Sequence, residues 1–106
     1  MRWFSDLYLG RSLKKSYKKR KYQIINKKMH PLVFLILFDM KFKNLELVPS
    51  TLFLQPYYPG FETIVIGMAS SKLEGITIIG TIYMECCRER KDYQIEKFLF
   101  KESKVY

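Results

Sequence analysis

The sequence predicts a small α/β fold: a three-stranded, mainly parallel sheet with one long helix, a short helical turn and a basic N-terminal helix. Three observations lead there. Two short runs, Leu32 to Phe38 and Thr63 to Ala69, are apolar on both alternating sets of side chains, the pattern of strands covered on both faces. Ser71 and Glu74 stand at capping-box spacing directly after the second run and mark a helix start. The excess charge is confined to the first 28 residues, with ten Lys/Arg against the single acid Asp6, while residues 29–106 hold nine bases and nine acids. A basic segment, 1–28, therefore leads into an α/β body, 29–100, and a tail, 101–106, in a single domain.

Within residues 5–28, Leu9, Leu13, Tyr17 and Ile24 recur at helical spacing, with Lys14, Lys15, Lys18, Lys19 and Lys21 on the other faces. Ser5 or Asp6 would cap this helix, and Asn26 with the His30-Pro31 pair would stop it. Leu32 to Phe38 is expected as the central strand. Asn44 would cap a short helical turn, about 44–48, before Pro49, and residues 55–60 are expected as a turn-rich loop. Thr63 to Ala69 is the second strand. The long helix, about 71–91, would turn Leu73, Ile76, Thr77, Gly80, Tyr83, Met84 and Cys87 inward, with Arg88, Arg90 and Lys91 at the negative end of its dipole. Gly75, Gly80 and the β-branched run from Ile76 to Ile79 weaken a helix and leave a strand over 75–84 as the competing reading. Tyr93 to Phe100 mixes alternation with apolar pairs, as an edge strand does.

Composition narrows the class. With 48% hydrophobic and 16% aromatic residues, the body is expected to fold rather than stay disordered. The two cysteines, Cys86 and Cys87, are adjacent, so a bridge between them would close no useful loop. Free thiols and a reducing compartment follow. The longest apolar run, seven residues from Leu32 to Phe38, falls far short of the roughly 20 needed to span a bilayer. A basic stretch before an apolar run imitates a secretory leader, but Asp39 and Lys41 stand where small cleavage-site residues belong, so a cytoplasmic location is expected.

The succession Tyr8-Leu-Gly10 before a basic segment, VFLILF over 33–38, Leu47-Val-Pro-Ser50, IVIGMAS over 64–70 and IEKFLF over 95–100 resembles a small family of bacterial cytoplasmic proteins with no assigned activity. The resemblance covers most of the chain and implies an α/β fold with a helix over 71–91. It transfers no site. Asp39-Met40-Lys41 departs from the small polar residues expected after the first strand in that family.

Candidate sites are few. Gly67, Ser70 and Ser71 join a strand to a helix start, where free amides favour an anion, although neither dinucleotide nor P-loop glycine spacing is present. Asp39 follows a strand end and could share a crevice with that turn, a small-ligand or enzyme arrangement, but a solvated turn acid is the simpler reading. His30, the only histidine, supports neither a catalytic relay nor a zinc site and reads as a loop residue. Packing is the simpler role for both cysteines. No cofactor or metal is expected.

The basic segment is the strongest pointer: Trp3, Phe4, Tyr8, Tyr17 and Tyr22 interleave with the bases and could stack on nucleobases. The expectation is a non-enzymatic interaction domain that binds an anionic partner through Lys14, Lys15, Lys18, Lys19 and Lys21. That partner would be nucleic acid or an acidic protein surface.

Overall fold

The computed structural model describes residues 2–26, 32–54 and 63–100. Strands β1 (Arg2–Leu9), β2 (Phe34–Asp39), β3 (Asn44–Pro49) and β4 (Thr63–Ala69) form one sheet in the order β1-β4-β2-β3. Only β1 and β4 run parallel, and β2 is antiparallel to both its neighbours. Three helices, α1 (Tyr17–Ile25), α2 (Lys72–Arg90) and α3 (Ile95–Leu99), accompany the sheet, and a 3-10 turn at Arg11–Leu13 precedes α1.

The sheet is thus four-stranded and mixed, not three-stranded and mainly parallel. The reason is local. Asp39 pairs with Asn44 across a four-residue loop, Met40 to Lys43, too short for a parallel crossover. Lys43 closes that hairpin at φ 59°, in the left-handed region usually held by glycine, so the turn carries no glycine signal. Beyond it, Asn44–Pro49 is a strand and not a helical turn: Leu45 and Leu47 pack on one face while Glu46 is exposed.

The basic N-terminal helix is also corrected. Residues Arg2–Leu9 are the edge strand β1, and the helix is confined to Tyr17–Ile25. Trp3 and Phe4 are strand-prone and turn to opposite faces, where both are buried against separate clusters. Leu9, Leu13, Tyr17 and Ile24 still meet in one cluster, but a strand, a 3-10 turn and a helix bring them there. Tyr93 to Phe100 is no edge strand, because Ile95 and Leu99, four residues apart, are buried together on α3.

β2 lies inside the sheet with its faces divided between two clusters. Leu35 and Leu37 join Val65, Met68 and the α1 side, and Ile36 and Phe38 join Ile64, Ile66 and the α2 side. Each such side chain, fully buried, contributes roughly 1.5–3 kcal/mol. A bulge at Ile66 shifts the β2–β4 register between Ile36 and Leu37 and brings Gly67 opposite Ile36. At Gly67 a Cβ would stand 2.5 Å from the Tyr8 carbonyl oxygen, so only glycine lets β1 lie this close.

The long helix forms as expected, capped by Ser71, whose hydroxyl accepts from the Glu74 amide at 3.1 Å. Its inward face differs from the expected one. Gly75, Ile82 and Cys86 are buried, Ile78, Ile79 and Tyr83 pack partly, and Leu73, Ile76 and Met84 face outward. Two apolar stripes run along α2, and Gly75 decides between them by leaving room for Leu47, whose Cδ1 lies 2.5 Å from where a Cβ would sit. Among the described residues no helix is long and apolar enough to cross a membrane.

Candidate functional site

The lysines named from the sequence lie on the α1 side of the sheet. Lys14 and Lys15 occupy the turn before α1, Lys18 and Lys19 its first turn, and all four are exposed. None of the four pairs with a described acid, and the ion pairs Lys43–Glu96 and Arg90–Asp92 lie elsewhere. The first turn of α1 holds no acidic residue, and Ser16 makes no side-chain cap, so positive side chains crowd the positive end of a helix dipole. Tyr22 and Ile25, both exposed, continue this outward surface.

Lys21 is set apart from the row. Its ammonium sits 5.0 Å from the centre of the Trp3 ring, a cation–π contact that holds the charge over β1. Between β1 and α1 lies a groove of about 630 Å³, with Trp3, Asp6, Leu7, Tyr17, Lys21 and Ile25 in its walls. It lies where β1 slips register against β4 between Trp3 and Tyr8, which leaves Phe4 to Leu7 without partners on the ladder. The Trp3 indole N–H is buried without a hydrogen-bond partner among the described residues. Sequence reasoning saw the aromatics between the bases but not this groove, because a three-residue slip leaves no mark in the hydrophobic pattern.

The turn of Gly67, Ser70 and Ser71 already has an anion, and it is internal. Glu74 Oε1 accepts from the Ser70 amide at 2.8 Å and from the Ser70 hydroxyl at 3.0 Å. The reciprocal arm of the capping box therefore reaches Ser70 and not Ser71. The Ser70 amide, followed by the Ser70 hydroxyl and a backbone bond from Arg11, holds the Glu74 carboxyl below its ordinary range despite an opposing desolvation. Glu74 thus ties together the segments that follow the two parallel strands, at the end of the sheet where open α/β folds admit ligands.

Asp39 does not share that crevice. Because β2 and β4 are antiparallel, Asp39 pairs with Thr63 at one end of the sheet and Ala69, next to Ser70, pairs with Phe34 at the other. The Asp39 carboxylate accepts from the Lys41 and Phe42 amides at 2.8 and 3.2 Å and organises its own turn.

On α2, Cys86 is buried and Cys87 is half-buried, and both are free thiols. Burial pushes the Cys86 thiol up, and its Sγ lies 3.5 Å from the Asp92 carbonyl oxygen. Tyr93 is also raised, chiefly by a hydrogen bond with Cys87. Tyr8 on β1 donates to Glu85 Oε1 on α2 at 3.3 Å; burial first, then the Glu85 charge, pushes its phenol up to about 12. His30 lies outside the described residues. Among those described, no three His, Cys, Asp or Glu side chains converge as a metal site requires. Comparison with family models, curated proteins and solved structures finds no match.

Proposed function

We propose that this protein is a non-enzymatic interaction domain that binds a polyanion through Lys14, Lys15, Lys18 and Lys19, with Lys21 at the border of the surface. The observation that carries this reading is four exposed lysines within six residues that pair with no described acid. Lysines at the N-terminal end of a helix repel its dipole, and an anion bound among them relieves that repulsion. Exposed Tyr22, one turn beyond Lys18 and Lys19, favours single-stranded nucleic acid as the polyanion, since its ring supplies a stacking surface beside the phosphate-binding charges. The adjacent free cysteines support action in a reducing, cytoplasmic compartment.

Anisotropy titrations at two salt concentrations, with a labelled oligothymidylate and a labelled polyglutamate of equal charge, test this. Reversing Lys18 and Lys19 to Glu is expected to weaken oligothymidylate binding at least tenfold. Reversing exposed Lys72 and Lys97, which changes net charge equally, is expected to cost much less. Equal losses from the two double variants would reduce the lysine row to a diffuse field and overturn the reading. Equal affinity for polyglutamate would remove nucleic acid as the preferred class.

A further inference from the structure

The outward face of α2 is unusual for a helix on a charged protein. Residues 75–84 carry no charge, in a chain of net charge +9 with 27% charged residues. Leu73, Ile76 and Met84 are 74%, 52% and 64% exposed, and helical geometry aligns them with Thr77 and Gly80. The hydroxyls of Thr77 and Thr81 donate to the Leu73 and Thr77 carbonyls at 3.0 Å, so they are spent within the helix. At Gly80 nothing lies within 4 Å of where a Cβ would stand.

This face is also self-complementary. Leu73 protrudes seven residues before Gly80. Seven residues after Gly80 stands Cys87, in a hollow of about 340 Å³ that it forms with Tyr83, Met84, Arg88 and Tyr93. A knob and a hollow at equal distances from a bare glycine, about 10 Å each way at 1.5 Å per residue, match under a two-fold axis through Gly80.

We propose that α2 is a homodimer interface, in which two copies cross antiparallel at Gly80 and each Leu73 seats in the hollow of the other. In that register Ile76 of one copy meets Met84 of the other, and the absent side chain at position 80 lets the backbones approach. Charge argues for a second copy as the occupant. A protein of net charge +9 meets itself at less cost where the crossing, residues 75–84, carries no charge and Arg88 stands only at the hollow, while the lysine row lies on the far side of the sheet. The face offers only a few exposed apolar side chains, Leu73, Ile76 and Met84 with Tyr93 at the hollow, fewer than a standard interface of roughly 800 Å² per partner engages, so the dimer is weak and depends on concentration.

Sedimentation of the full chain over a wide concentration range, at high salt to suppress charge repulsion, tests the proposal. The expected result is a monomer–dimer equilibrium whose dissociation constant rises at least tenfold with Leu73→Asp and is unchanged by Ser12→Asp, which adds the same charge at an exposed position on the α1 side. The register has its own test. Leu73→Cys, oxidised with copper-phenanthroline, is expected to give a disulfide-linked dimer that Leu73→Cys/Cys87→Ser does not. A chain that stays monomeric at high concentration, or a dimer indifferent to Leu73→Asp, would overturn the proposal. So would a monomer that binds neutral phosphatidylcholine vesicles through Leu73, since the face would then belong to a lipid surface.

Discussion

Glu74 lies against Gly10. A Cβ added at Gly10 would collide with the Glu74 carboxylate, which Ser70 and the Arg11 backbone already hold in place. Gly10 has an extended backbone, φ −60° and ψ 150°, that any residue adopts, so the glycine is there for space and not for conformation. One carboxylate thereby joins the end of β1 to the start of α2.

Gly10→Ala is expected to destabilise by about 0.5–1.5 kcal/mol, since the Glu74 carboxylate is the end of a flexible side chain that swings aside at the cost of its exposed hydrogen bonds. In a Glu74→Ala background the sign reverses. There Ala at position 10 is expected to be neutral or stabilising by up to about 1 kcal/mol, because it only restricts the unfolded chain. Thermal melts of the four proteins in this cycle measure the coupling, and additive effects would break the link between the two residues.

Acid should remove the Glu74 contribution. Its folded value lies below the ordinary carboxylate value of about 4.3, so the stabilisation is fully present above that pH and is lost as pH falls through the lower folded value. The melting temperature of Glu74→Gln is expected to trail the parent's at pH 7 and to converge on it as pH falls through the lowered folded value of Glu74. A gap that stays constant with pH would mean that the charge of Glu74 is irrelevant.

Gly67→Ala is expected to cost more than an ordinary surface change, about 1–3 kcal/mol, since the Tyr8 carbonyl oxygen is backbone and yields only if β1 shifts. Loss of the parallel edge would also separate Tyr8 from Glu85. Tyr8 absorbance during alkaline titration reports this, with its ionisation falling from about 12 toward an ordinary tyrosine in the variant.

The two thiols should react at different rates. Cys86 is buried and raised by burial, whereas Cys87 is half-buried, so a thiol reagent is expected to modify one cysteine in the native protein and the second only on unfolding. Two equally fast reactions would place Cys86 outside the core.

The chain alone determined its strongest local features: β2, whose apolar residues fill both faces; β4, bounded by turn residues; and the Ser71 cap that starts α2. Each depends on neighbours within a few positions, which a linear reading captures. The lysine row was legible in the same way, as charge density. Tertiary structure decided everything that required knowing what lies opposite. Residues 2–9 are a strand because β4 offers an open edge, and the hairpin after β2 fixes the antiparallel order that parts Asp39 from Ser70. Which of two apolar stripes on α2 faces the sheet depends on the fit of Gly75 to Leu47, and the anion at the α2 N-terminus is Glu74 because Gly10 makes room for it. Hydrophobic periodicity records that a side chain seeks cover, but the covering surface comes from residues distant in sequence, and only the folded chain brings them together.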